Sequence, residues 1–362
     1  MASRSEGTVG DLLALAASLV ATESVSHREQ AIADRVQAQL CSAGHLEVLR
    51  IGDSVVARTS WGLDTRVLLA GHLDTVPPSA GQVAGVEGDV LWGLGAVDMK
   101  GGLAVLLDLA ADTASPAVDT TFVLYACEEV ARRHNALAGL AVDRPDLLRA
   151  DAAILTEPTG GVVEAGCQGT LRAELRLRGR RAHSARPWTG VNAIHRLAPA
   201  LCTVAAYHSR QVVLDGCAYT EQLQAVGVGG GVAGNVVPDE ASLTVNFRFA
   251  PDRTAGEAEA VVRQLLAGSF DPASGDELAV VDVAGGAPPS LAAPVLAGLV
   301  AATGRPARAK VGWTDVATLA GCGVPATNYG PGDPALAHTA DEHVSRAELD
   351  EVRRVLAGLL FI

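Results

Sequence analysis

Three short apolar runs, 67–70, 121–127 and 152–156, carry little or no polar alternation. A strand with one wet face alternates apolar and polar residues. A strand that is apolar throughout must be covered on both faces, and a largely parallel sheet flanked by helices supplies that cover. Helical patterns precede the first run and lie between the first two. Ile32, Val36 and Leu40 recur every four residues and Gly44 closes the pattern; a second helix is expected over about 99–111. The fold class read from this order is α/β, a mostly parallel sheet with helices on both faces.

The pattern changes near residue 168. Residues 171–178 alternate apolar and polar, a helical stretch spans 190–206, and alternating strands follow near 219–228 and 241–249. A helix near 254–267 and a strand near 277–283 complete a β-α-β-β-α-β order, which is ferredoxin-like. The expected organisation is therefore an α/β domain made of 1–167 and 286–362, interrupted by an α+β domain at 168–285. The Gly-Gly-Ala-Pro-Pro stretch at 285–289 reads as the return linker. Ser345-Arg-Ala-Glu348 is a capping box that opens a last helix with Leu349, Val352 and Leu356 on one face.

Composition narrows the function. The chain has 362 residues, a formal net charge of −13 and no basic cluster, so neither nucleic acid nor an anionic membrane is an expected partner. Six cysteines (41, 127, 167, 202, 217, 322) include no CxxC pair and read as reduced thiols of a cytoplasmic protein. The N-terminus lacks the basic-then-apolar order of a leader, and no apolar run approaches the roughly 18 residues of a membrane span.

The chemistry lies where the apolar runs end. Residues 67–70 lead to His72 and Asp74, 121–127 to Glu128-Glu129, 152–156 to Glu157, and an apolar stretch at 324–329 leads through Gly-Pro-Gly-Asp-Pro to His338. Asp98 stands just before the helix at 99–111. Singly, each has an ordinary reading: a loop histidine, a solvated glutamate pair, a helix N-cap for Asp98. In a parallel sheet, however, all these strand ends share one rim. Two imidazoles and four carboxylates would meet there, a donor set suited to zinc, cobalt or manganese. Competing signals are weaker. Gly229-Gly-Gly231-Val-Ala-Gly234 fits GxGxxG but is followed by a strand, so it is no dinucleotide site. His183-Ser184 lacks a nucleophile elbow, and Cys127 reads as packing.

Gly71-His72-Leu-Asp74-Thr-Val-Pro77, Gly95-Ala-Val-Asp98-Met-Lys-Gly-Gly102, Glu128-Glu129, Thr156-Glu157-Pro158 and the late His338 resemble, in order and over almost the whole chain, the motifs of the M20 family of di-zinc aminoacylases and peptidases. Glu164-Ala-Gly-Cys-Gln-Gly-Thr170, Arg181-Ala-His183-Ser-Ala-Arg186 and Gly330-Pro-Gly-Asp-Pro334 are most similar to the succinyl-diaminopimelate desuccinylases of that family. The resemblance implies a catalytic domain and a lid domain that also forms a homodimer. It implies two zinc ions, with cobalt as a substitute. Asp98 would bridge them, His72 and Glu157 would complete one site, and Glu129 and His338 the other. Asp74 would hydrogen-bond the far nitrogen of His72, and Glu128 would be the general base. From the lid, His183 would reach a neighbouring protomer's site and donate to the oxyanion, while Asn235 and Arg248 would bind substrate. The implied reaction releases succinate from N-succinyl-LL-2,6-diaminopimelate; N-acetylornithine, another N-acyl amino acid or a dipeptide is the alternative substrate, and a catalytically silent binding paralogue the rival. The chain departs from the resemblance at Gln168, where many desuccinylases carry arginine, at Ala96-Val97 and at the basic Ala131-Arg-Arg-His134.

Overall fold

The computed structural model describes residues 11–79, 84–112 and 114–362; residues 1–10, which carry part of the N-terminal reading, lie outside them. Two compact units are present. One comprises the residues through Gly166, Pro289–Arg308 and Thr314–Ile362; the other comprises Cys167–Pro288 and Ala309–Trp313.

The first unit is built on an eight-stranded sheet, in the order Glu47–Ile51, Ser54–Arg58, Asp119–Tyr125, Arg66–His72, Ala152–Leu155, Ala326–Asn328, Glu164–Ala165, Arg308–Ala309. Its middle four strands are parallel. Every residue of Asp119–Tyr125 is buried, as the unbroken apolar run required. Val67 and Leu69 face a core shared with Ile32, Val36, Leu103 and Leu356, while Leu68 and Ala70 are buried as well, on the opposite side of the pleat. The last helix, Arg346–Leu360, opens with the expected capping box and buries Leu349, Val352 and Leu356. Each such leucine contributes about 1.5–3 kcal/mol by leaving water.

Asp119 anchors the start of the strand that leads to Glu128 and Glu129. Its carboxylate accepts the backbone N–H groups of Trp61 (2.8 Å), Gly62 (3.1 Å) and Leu63 (3.1 Å) and the Thr59 hydroxyl (2.8 Å). Burial pushes this carboxyl up, but those bonds and nearby Arg66 outweigh it and leave its pKa below the ordinary value. A depressed folded-state pKa stabilises above the unfolded pKa and loses that contribution as pH falls through the folded one. Asp119→Asn should therefore cost about 1–3 kcal/mol at neutral pH, and the gap should narrow below about pH 4. Urea unfolding at both pH values checks this; a gap that does not change with pH would reject it.

The second unit holds a four-stranded antiparallel sheet in the order Gln222–Gly230, Glu240–Phe249, Gly169–Arg178, Glu277–Ala284. Leu171, Ala173, Leu175 and Leu177 point inward and pack with Val204, Val262 and Leu266 from the helices Ala198–Ala205 and Ala255–Leu266. The strand expected at 219–228 is two strands. It breaks at Glu221, whose buried carboxylate draws in Arg210 (2.8 Å), Arg253 (2.7 Å) and the Ala250 N–H (3.2 Å). The residues before it form a separate hairpin, Gln211–Leu214 with Cys217–Thr220. A small ribbon joins Ala182–His183 to Val236–Val237. The glycine-rich stretch at 229–234 opens no helix.

Candidate metal centre

His72 closes its strand, and the next turn brings Asp74 back under it. The His72 Nδ1 meets the main-chain carbonyl of Asp74 at 2.9 Å, with the Asp74 carboxylate farther off at 3.7 Å. The partner of the far nitrogen is thus the expected residue, through its main-chain carbonyl. An Nδ1–H donating to a carbonyl leaves the Nε2 lone pair free to face the site. The Asp74 carboxylate has other work. It accepts the N–H of Glu128 (2.9 Å), the N–H of Glu129 (3.0 Å) and the Ser26 hydroxyl (2.7 Å). Glu29 accepts the N–H of Cys127 at 3.1 Å. Three successive N–H groups at 127–129 are therefore held by two buried carboxylates, which fixes the turn that presents the glutamate pair.

Asp98 lies in a tight turn after the left-handed Gly95 and before the helix Gly101–Ala111, whose N-cap is Lys100. Asp98 is therefore not that helix's cap. Glycine is needed where this helix begins: a Cβ on Gly102 would stand 2.3 Å from the Thr156 carbonyl oxygen, and one on Gly330 would stand 2.3 Å from it and 2.4 Å from the Glu157 carbonyl oxygen. Two glycines thus pack backbone against backbone around the strand end that carries Glu157.

These elements bring the six side chains together. His72, Asp98 and Glu157 present ligand atoms within 4.8 Å of one another, and so do Asp98, Glu129 and His338. Asp98 is common to both triads: one oxygen faces His72 Nε2 at 3.1 Å, the other His338 Nε2 at 3.4 Å. His338 also meets Glu129 at 2.8 Å. Glu128 groups with His72 and Glu129 in a third set and belongs to neither triad that shares Asp98.

The electrostatics follow from crowding acids in a buried place. Burial pushes the Glu128 carboxyl well above its ordinary range; His72 opposes the shift, and Glu157, Asp315 and Glu129 add to it. Burial also disfavours a charged His72, but Asp98, with Glu128 and Glu157, outweighs it and holds the imidazole well above its usual pKa. His338 is raised to about 10 by Asp98 and Glu129. For Asp98, the hydrogen bonds to both histidines overcome burial and keep the carboxyl below its usual range. The acids thus draw protons onto both imidazoles because they need compensating charge. Two divalent cations would meet the same need, with the imidazole nitrogens turned from donors into ligands. The donor set fits a metal pair.

Residue spacing gave no sign of several supports. Glu342 is buried, and its carboxylate accepts the N–H groups of Gly95 (3.0 Å), Val97 (2.9 Å) and Asp98 (3.0 Å). Burial raises its pKa against those bonds. Asp315 is buried beside the site and accepts from Asn135 and Thr318, each at 2.6 Å. Cys127 is not simply packing: its thiol meets Glu29 at 3.2 Å and His27 at 3.5 Å. Burial and Glu29 push that thiol up to about 12, so it is no nucleophile at neutral pH.

His183, Asn235 and Arg248 lie in the second unit. His183 is on the small ribbon opposite Val236, and Asn235 lies in the turn just before the ribbon's second strand, its carbonyl accepting the Ser184 N–H at 2.9 Å; both side chains are exposed. The His183 Nδ1 accepts the Ala185 N–H at 3.0 Å, which leaves Nε2–H as an outward donor. Arg248 is on the strand Glu240–Phe249, and its guanidinium, whose pKa burial lowers, makes no ion pair among the described residues. Gln168 donates to the Thr220 carbonyl at 3.0 Å.

A parallel sheet that gathers imidazoles and carboxylates into two triads sharing Asp98 defines an α/β protein with a candidate two-metal centre. Residues 68–361 match the model of peptidase family M20/M25/M40, and the chain belongs to that family. A Mycobacterium tuberculosis protein, provisionally named as a succinyl-diaminopimelate desuccinylase, is 50% identical over 96% of this chain and 99% of its own. The succinyl-diaminopimelate desuccinylase of Corynebacterium glutamicum is 45% identical over 97% of this chain and 96% of its own. Among solved structures, a Staphylococcus aureus tripeptidase superposes with a TM-score of 0.81 at 20% identity, covering 98% of each chain. A Bacillus subtilis M20 peptidase described as binding a dinuclear metal gives 0.65 at 14% identity, covering 96% of each. No helix among the described residues is long and apolar enough to cross a membrane.

Proposed function

We propose that this chain hydrolyses N-succinyl-LL-2,6-diaminopimelate to succinate and LL-2,6-diaminopimelate, as a cytoplasmic homodimer holding two zinc ions. The observation that carries the reading is near-full-length identity of 45–50% to proteins named for that reaction, on a chain whose two triads share Asp98. His72, Asp98 and Glu157 would hold one ion, and Asp98, Glu129 and His338 the other. Bound there, the pair supplies Lewis acidity towards water and towards an amide carbonyl. Asp74 and Glu29 hold the turn of residues 127–129. Glu128 accepts a proton from the attacking water and passes it to the leaving amine.

The second unit, as lid and dimer interface, contributes the rest. His183, fixed as an Nε2–H donor, would serve the oxyanion of a neighbouring protomer's site. Asn235 and Arg248 would bind substrate; an unneutralised, partly buried guanidinium suits a carboxylate. Gln168 is neutral and bonded to Thr220, so the succinyl carboxylate would depend on another cation. Six cysteines with no disulfide agree with a reducing compartment.

The test is parallel hydrolysis of succinyl, acetyl and dipeptidyl substrates by enzyme stripped with a chelator and reloaded with zinc or cobalt. The succinyl-diaminopimelate substrate should give the highest kcat/KM, and only after reloading. A higher value for N-acetylornithine or a dipeptide would overturn the substrate, and full activity in metal-free enzyme would overturn the centre.

A further inference from the structure

We infer that Glu342 is a positioning residue that couples the two halves of the metal centre; the inference rests on the metal-centre reading above. The sequence separates Asp98 and Glu342 by more than half the chain, yet they meet through a small antiparallel pairing. The strand His343–Ser345 pairs with Val90–Trp92, matching His343 to Trp92. That register sets the loop ending at Glu342 against the loop that begins at Gly93. Four hydrogen bonds then join the loops. The Gly93 N–H donates to the Glu342 carbonyl at 3.0 Å, and the Glu342 carboxylate takes the N–H groups of Gly95, Val97 and Asp98.

Two consequences follow from which residues these loops carry. Asp98 is the ligand that both triads share, and its own N–H is held by Glu342 Oε1. His338 is four residues before Glu342 in the same connection, so the anchor at 342 also limits where His338 can stand. The other ligands do not depend on it. His72 is the last residue of a buried strand and is 1% exposed; Glu157 follows another buried strand and is 6% exposed. His338, by contrast, is half-exposed on a loop at a left-handed φ of 62°. Glu342 therefore acts on one ligand of the His72 triad and on two of the His338 triad. Its loss should loosen the second more than the first.

Zinc titration against a competing chelator, with metal content by mass spectrometry, reads this without substrate. In Glu342→Ala one zinc equivalent should lose about 10–100-fold in affinity, as for other groups that orient a ligand, and the other distinctly less. Glu342→Gln should fall between. Its carbonyl oxygen can keep the Val97 and Asp98 bonds, but its amide nitrogen cannot accept from Gly95. Gln also conserves the volume, so it serves if the alanine variant does not fold. Two equivalents held at wild-type affinity in the folded variants would overturn the inference. So would parallel loss of both equivalents in step with a fall in Tm, which marks a general buttress. Wild-type protein that binds fewer than two equivalents would instead overturn the metal-centre reading, and this inference with it. A chain that binds two equivalents but prefers another acyl substrate leaves this inference standing.

Discussion

Glu128→Gln is expected to retain both metal equivalents while kcat falls by about 10²–10⁴-fold, the range for removing a general base. That loss corresponds to roughly 3–5 kcal/mol of barrier. The carboxamide has nearly the same shape, and the turn that presents it is held through backbone N–H groups that the substitution leaves in place. What it loses is the ability to accept a proton. Glu128 also lies within 4.8 Å of His72 and Glu129, so a ligand role is the competing assignment. Metal content measured beside kcat separates the two. Low activity with two bound metals marks the base, low activity with one marks a ligand, and near-native kcat removes Glu128 from the chemistry.

His183→Ala should reduce kcat by about 10²–10³-fold, the cost of removing one oxyanion donor, with metal content unchanged. The side chain is exposed, and among the described residues its one hydrogen bond is the Ala185 N–H to Nδ1, so the fold has little stake in it. A general loss of stability would argue for a structural role instead. Mixing this variant with Glu128→Gln tests whether the donor acts across a dimer. Each parent is defective in a different residue. A mixed dimer would have one site with both defects and one with neither, so subunit exchange should recover part of the wild-type rate. Exchange demonstrated by labelled subunits without recovered activity would end the proposal that His183 serves a partner.

The sheet and the candidate metal-binding residues were legible in the residue pattern alone. Runs 67–70, 121–127 and 152–156 could be satisfied only by burial on both faces, and in parallel strands burial on both faces also fixes which ends are neighbours. His72, Glu129 and Glu157 were legible because each lies at or just past the end of such a strand, and parallel strand ends share one rim; Asp98 and His338 were legible from the turn and the glycine-proline stretch that carry them, and their final places depend on loops. The alternation of 171–178 likewise forced a sheet with one wet face. What holds these residues still emerged only once the chain was folded. Glu29, Asp74 and Glu342 act through backbone N–H groups, and such acceptors leave no periodicity or spacing, because any buried carboxylate within reach can serve. Asp74 meets the His72 ring as expected, but which of its atoms does so was not legible: a two-residue turn brings the carbonyl nearer than the carboxylate. The split of the expected strand at 219–228 has the same origin: Glu221 looks like an ordinary polar position until Arg210 and Arg253, distant in sequence on either side, close on it. Short-range pattern encodes which face of an element is apolar; the pairing of charges across tens or hundreds of residues exists only once the chain has folded.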